Sequence, residues 1–202
     1  MEFILTESEF NEDNTAWNGN RFLMGNGYFG IRGTLEEYTK KQMCAVNMAG
    51  IYDKMGNSWR ESVNAPNPLY TYIKVNGKIY ALPDEKPKFH QQELDFRYGI
   101  HSRVTHWQTE HGNITVVCER FASIARQHNI AMKYTFSVDF DCEAEIITGI
   151  DGDVWDINGP HFVKMKIGSK DGADYVTGIT GEKNISVTVK EYIRTDFQAE
   201  QT

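Results

Sequence analysis

Three groups of residues in this 202-residue chain have types and spacings that could do chemistry. Asp151, Asp153 and Asp156 stand in the run Asp151-Gly152-Asp153-Val154-Trp155-Asp156. Alternating carboxylates can gather around calcium, but the run lacks the glycine and the closing glutamate of an EF-hand loop, so it reads as a solvated turn. Glu36 and Glu37 could divide acid and base work. As neighbours on a strand, however, they would point to opposite faces and form a poor catalytic pair. His101, His106 and His111 are evenly spaced. A spacing of five alternates faces on a strand, so three imidazoles would not converge on one metal ion without bends. No serine lies in the elbow motif of a Ser-His-Asp nucleophile. The residues therefore give no catalytic set, no metal site and no cofactor.

The segment Gly25-Asn26-Gly27-Tyr28-Phe29-Gly30 matches the G-x-G-x-x-G pattern, with Asp53 downstream as an acidic candidate for a ribose. A dinucleotide reading needs a strand before it and a helix after it. Ile31-Arg32-Gly33-Thr34 is a poor helix start, so these glycines are expected to permit tight backbone turns instead. The net charge of −7 leaves no basic stripe for nucleic acid or an anionic membrane. The three cysteines, Cys44, Cys118 and Cys142, are odd in number and far apart, which suggests free thiols in a reducing cytoplasm. The opening MEFILTESEFNEDN has no basic start and is not expected to be a secretory leader. No run approaches the roughly 20 apolar residues of a membrane span. The sequons at Asn113 and Asn184 are then chance matches.

The elements that would carry these residues have a period of two. In 130–140, Ile130, Met132, Tyr134, Phe136, Val138 and Phe140 share one strand face, and Lys133, Thr135, Ser137 and Asp139 share the other. Tyr72-Ile73-Lys74-Val75-Asn76-Gly77-Lys78-Ile79-Tyr80 is a hairpin signal, because Asn-Gly suits a type I′ turn. A further hairpin is expected over 104–121, and strands over 145–150, 162–167, 175–179 and 185–192, with turns at Asp171-Gly172 and Gly181-Glu182. Residues 1–65 read as short strands and ordered loops, and 195–202 as a fraying end. This density of strands implies an all-β antiparallel fold of two packed sheets.

Several segments, in order, resemble the family 65 glycoside hydrolases, which include phosphorylases of maltose, kojibiose, nigerose and trehalose. They are Gly25 through Gly33 followed by Glu36-Glu37, then Ala49-Gly50-Ile51-Tyr52-Asp53, and Val63-Asn64-Ala65-Pro66-Asn67. Glu93 through Gly99, Arg120-Phe121-Ala122-Ser123 with His128, and Ile150-Asp151-Gly152-Asp153-Val154 follow. The likeness covers roughly residues 20 to 155.

The resemblance implies a galactose-mutarotase-like N-terminal super-sandwich forming residues 1–202 as a single domain, with the catalytic (α/α)6 barrel outside this chain. It implies inverting attack of inorganic phosphate, as co-substrate, on an α-linked glucose disaccharide, using a general acid that the barrel supplies. The sandwich would brace that barrel, border its substrate entrance and share in a homodimer interface. Asn26, Tyr28, Arg32, Glu37, Trp59, Asn64 and Asn67 are the candidates for that surface, with Arg32 and Glu37 expected to make docking ion pairs; the equal alternative is that these residues support the fold through turns and buried polar networks. Trp107 and Trp155 could stack on sugar, though core packing suits them better. The alternative is a free-standing carbohydrate-binding module using exposed aromatics.

Overall fold

In the computed structural model, which describes residues 3–197, alternation of apolar and polar side chains is converted into strands almost throughout. Fifteen strands run through the described residues. They are β1 (Ile4–Glu7), β2 (Met24–Gly25), β3 (Phe29–Ile31), β4 (Val46–Asp53), β5 (Glu61–Asn64), β6 (Asn67–Val75), β7 (Lys78–Tyr80), β8 (Phe89–Asp95), β9 (Ile100–Gln108), β10 (Asn113–Ala122), β11 (Ile130–Val138), β12 (Ala144–Asp151), β13 (Phe162–Lys170), β14 (Ala173–Thr180) and β15 (Ser186–Glu191). A seven-residue helix, α1 (Thr15–Arg21), joins β1 to β2.

Every pairing is antiparallel. The largest sheet has the order β1-β8-β9-β10-β11; the others are β12-β6-β7, β13-β14-β15 and β2-β3-β4-β5. The sandwich expected from the sequence is present, with the layer opposite the five-stranded sheet divided between shorter ladders. The β4–β5 ladder shifts register between Asn47 and Tyr52, where a bulge bends the strand.

Two turns show why the hairpins lie where the sequence places them. Asn76 and Gly77 have φ of 51° and 78°, and Asp171 and Gly172 have φ of 57° and 72°. Both central residues of a type I′ turn need positive φ, which Gly adopts freely and Asn and Asp tolerate better than other residues.

Ile73, Val75 and Tyr80 of the β6–β7 hairpin pack on Trp107, Ile114 and Val116 of the five-stranded sheet, with Leu35, Tyr38 and Leu82 closing the side. A second cluster joins Phe22, Met24, Ile31, Val46, Leu69 and Leu94. Trp107 is buried and its Nε1 donates to the Glu85 carbonyl at 2.9 Å, so it is a core residue and not a sugar platform. The alternate residues of β11 rest against these clusters as their spacing requires.

Two elements escape the reading by period. Strand β8 turns His90, Gln92 and Leu94 inward, so polar and apolar faces cannot be told apart from its sequence. Helix α1 is too short to show a helical period. Part of the expected fraying end, 198–202, lies outside the described residues.

Candidate functional site

The inner face of the five-stranded sheet carries charge as well as hydrocarbon. Arg103 on β9 and Cys118 on β10 are directly paired, as are His101 and Arg120, so both guanidinium groups leave the same face. Glu36 and Glu37 sit in the turn after β3 and not on a strand. That corrects the expectation of opposed side chains, because the turn swings both carboxylates inward. Arg120 Nη1 donates to Glu36 Oε1 at 2.8 Å, and Arg103 Nη1 donates to Glu37 Oε1 at 2.8 Å. Arg103 Nε also lies 2.9 Å from Glu36 Oε2, but its N–H is not aimed along that contact. The Thr34 carbonyl accepts from Arg120, and Leu82 N donates to Glu37 Oε1 at 3.2 Å.

All four side chains are sealed from solvent. Two positive and two negative charges cancel. Burial pushes Glu36 upward, yet Arg120 and Arg103 outweigh it and hold the carboxyl below its usual range. Glu37 ends above its usual range, because burial and the neighbouring Glu36 outweigh Arg103. Paired carboxylates so enclosed cannot reach a glycosidic bond, since acid–base catalysis requires contact with the reacting atoms.

The seven candidate residues divide by what they touch. Glu37 pairs internally with Arg103 rather than across a docking surface. Arg32 donates to the Ala16 carbonyl at 2.7 Å and to the Met43 carbonyl at 3.2 Å, so it ties α1 to the segment before β4. Gly19 lets it pass: a Cβ there would stand 2.7 Å from Arg32 Nη2. Asn26 donates to the Ser123 and Gln127 carbonyls at 2.7 and 3.0 Å and accepts from Phe29 N at 2.8 Å. It thereby pins the β2–β3 hairpin to the β10–β11 connection. Tyr28 stacks on His128 with ring centres 4.3 Å apart. The buried Asn64 accepts from Asn47 at 2.8 Å and donates to the Trp155 carbonyl, and the buried Asn67 accepts from Leu69 N at 3.1 Å. Trp59 alone of the seven projects outward, at 64% exposure, from the β4–β5 hairpin that also exposes Tyr52 and Met55.

Gly25 through Gly30 form the β2–β3 hairpin with no helix after it, which removes the dinucleotide geometry. His101 and His106 face opposite sides of β9, as their spacing requires.

The Asp151–Asp156 run does not act as one loop. Asp151 accepts from Asp153 N at 2.9 Å, and Asp153 pairs with Lys40 at 2.7 Å on the surface. Asp156 turns the other way, to a nest that spacing did not reveal. There His161 is fully buried; its Nδ1 lies 3.2 Å from Asp53 Oδ2 and its Nε2 lies 2.7 Å from Glu61 Oε1. His161 N donates to Asp156 Oδ2 at 3.4 Å. Asp53 and Glu61 come from the facing ends of β4 and β5, Asp156 follows β12, and His161 precedes β13. Burial would lower the His161 pKa, but its hydrogen bonds to Glu61 and Asp53 and the charge of Asp156 hold it raised. The Asp156 carboxyl is pushed up, by burial first and then by the nearby Glu61 and Asp53 charges.

No helix among the described residues is long and apolar enough to cross a membrane.

Comparison with known proteins places this architecture. The profile described as "Glycosyl hydrolase family 65, N-terminal domain" matches residues 5–202. The chain is 51% identical over 166 residues to a nigerose phosphorylase of Lachnoclostridium phytofermentans, a match covering 82% of this chain and 22% of that protein. It is 36% identical to a 1,2-alpha-glucosylglycerol phosphorylase of Bacillus selenitireducens, over 91% of this chain and 24% of that one. A solved structure assigned as a kojibiose phosphorylase from the human microbiome superposes with a TM-score of 0.84 at 20% identity, covering 98% of this chain and 29% of the other. The chain thus spans less than a quarter of the length of these curated relatives.

Proposed function

This chain belongs to the N-terminal domains of glycosyl hydrolase family 65, and from that premise we propose that it is the non-catalytic β-sandwich of an α-glucoside phosphorylase. Its work is to brace a helical catalytic barrel and to border the substrate entrance. The observation that carries this reading is the sealed Glu36–Glu37 pair: these adjacent carboxylates are matched by Arg103 and Arg120 and closed to sugar. Inverting phosphorolysis then draws its acid from the barrel, and phosphate replaces the activated water.

The similarity to a nigerose phosphorylase makes nigerose the first disaccharide to test. Trp59, with Tyr52 beside it on the β4–β5 hairpin, is the part of the candidate surface free to meet the barrel or a second subunit. A cytoplasmic setting suits the three free thiols. The exposed Trp59 and Tyr52 also favour a second reading, a carbohydrate-binding module, since an open aromatic face can stack on a pyranose.

The experiment replaces the N-terminal domain of the Lachnoclostridium nigerose phosphorylase with this chain. The 202-residue chain alone and the chimera are each given nigerose, kojibiose, trehalose and maltose with and without phosphate. The chimera is expected to release glucose 1-phosphate and the chain alone none. Turnover by the chain alone overturns the reading, as does a folded chimera without activity. Saturable binding of these sugars to the chain, abolished by Trp59→Ala, moves the assignment to the binding module.

A further inference from the structure

The nest around His161 has an electrostatic problem that the central network does not. Asp53, Glu61 and Asp156 bring three carboxylates to one imidazole. The nearby cation Arg60 is spent on the exposed pair with Glu182. His161 Nδ1 reaches Asp53 Oδ2, whose other oxygen accepts from Glu182 N at 2.9 Å, so Asp53 is fixed and holds the ring in place. A neutral imidazole can donate to only one of Asp53 and Glu61, so the other contact is completed by a second proton or by a metal ion.

Glu61 is itself held by Ile157 N at 3.1 Å, Asn158 N at 2.9 Å and Asn158 Nδ2 at 2.9 Å. Asp156 Oδ1 has no hydrogen-bond partner, although it is sealed from solvent. One ligand atom each from Glu61, Asp156 and His161 lie within 4.8 Å of one another. Metal–ligand distances near 2.0–2.2 Å place neighbouring ligands about 3–4 Å apart, so an ion seated there would widen the 2.7 Å His161 Nε2–Glu61 Oε1 contact slightly and hold Asp156 within the same span.

We propose that Glu61, Asp156 and His161 bind a divalent transition-metal ion, with Asp53 orienting the histidine. A carboxylate that accepts from the far nitrogen of a ligating imidazole is the usual outer partner of such a site. One imidazole with two carboxylates suits Zn²⁺ better than Mg²⁺ or Ca²⁺, which take all-oxygen sets, and Zn²⁺ binds such donors more tightly than Mn²⁺. The ion staples the β4–β5 hairpin to the β12–β13 connection, two parts of the chain about 100 residues apart in sequence. The role is structural, since His161 is fully buried and the Glu61 side chain nearly so.

The 202-residue chain, stripped with a chelator, is titrated with Zn²⁺, Mn²⁺ and Mg²⁺ and followed by bound-metal analysis and thermal unfolding. One Zn²⁺ per chain is expected, with weaker Mn²⁺ and no Mg²⁺ binding, and a Tm rise on the order of 5 °C at a hundredfold excess over Kd. Asp156→Asn, isosteric and on a partly exposed loop, is expected to weaken Zn²⁺ at least tenfold while the apo protein stays folded. Co²⁺ gives an independent readout, a visible absorption band that Asp156→Asn removes. A folded chain that takes up no stoichiometric Zn²⁺ overturns the proposal and leaves a protonated His161 as the central cation. Equal affinity in Asp156→Asn overturns it as well.

Discussion

The Glu36–Glu37–Arg103–Arg120 network is wholly buried, whereas the Asp53–Glu61–Asp156–His161 nest is buried at Asp53 and His161 and only partly at Glu61 and Asp156, and the two differ in how their charge closes. The first pairs two carboxylates with two guanidinium groups that are always charged. The second surrounds one titratable imidazole with three carboxylates. A self-neutralised network needs nothing from outside and acts as a fixed joint between the turn at Glu36–Glu37 and the large sheet. An unbalanced nest takes up whatever cation is supplied, a proton or a metal ion. Local charge sum, together with the partial exposure of Glu61 and Asp156, separates scaffold from candidate site in this molecule.

The largest effect is expected from breaking the balanced network. Arg120→Ala leaves Glu36 with Arg103 alone and is expected to cost about 3–5 kcal/mol, as loss of one partner of a buried pair usually does. Denaturant unfolding measures it. Replacing all four charged residues together by apolar ones of similar volume is expected to cost far less than the summed single changes. If the fourfold variant proves as unstable as the sum, the network is more than a neutral joint.

Acid sharpens the contrast next. His90 sits beside the first network, and burial, helped by Arg103, pushes its pKa down to about 4. A histidine with a lowered folded pKa binds more protons when unfolded, so its contribution is lost as pH falls from 6.5 toward 4, on the order of 3 kcal/mol. His101, lowered further by burial, acts in the same direction. His161 has the opposite sign: its contribution is full below its ordinary pKa and fades as pH rises through the raised one. His90→Gln is expected to flatten the acid limb of a Tm–pH curve, and His161→Gln the neutral limb.

Asp156→Asn should give a smaller effect whose sign reports on the ion. Its raised carboxyl pKa means that ionised Asp156 is disfavoured in the fold near neutral pH. Without added metal the substitution is expected to stabilise by at most about 1 kcal/mol, and with saturating Zn²⁺ to destabilise relative to the unaltered chain. The least effect is expected at Arg60→Ala. Its pair with Glu182 is solvent-exposed, so no resolvable change in Tm should appear at physiological salt.

How much was legible in the sequence differs in the same way between the two regions. The alternation in β11, the Asn76-Gly77 turn and the run of family-like segments all act over a few residues, so they could be read directly. They sufficed for an antiparallel sandwich and for the family. Asn26, Arg32 and Asn64 were singled out by type, but what they bond to was not visible. Their partners are backbone carbonyls brought near by folding, and a carbonyl has no sequence signature. Strand β8 was hidden because its inward side chains, His90 and Gln92, are themselves polar.

The sequence by itself determined the alternating strands from β6 onward, β8 apart, and the hairpins at Asn76-Gly77 and Asp171-Gly172. Tertiary structure alone decided which carboxylates meet. Glu36 and Glu37 converge because they occupy a turn, where the alternation of a strand does not apply. Asp53 and His161 meet across 108 positions because the end of the β4–β5 hairpin folds against the β12–β13 connection. Local chain stereochemistry carries the first kind of information. The second depends on packing between elements, which no spacing along the chain encodes.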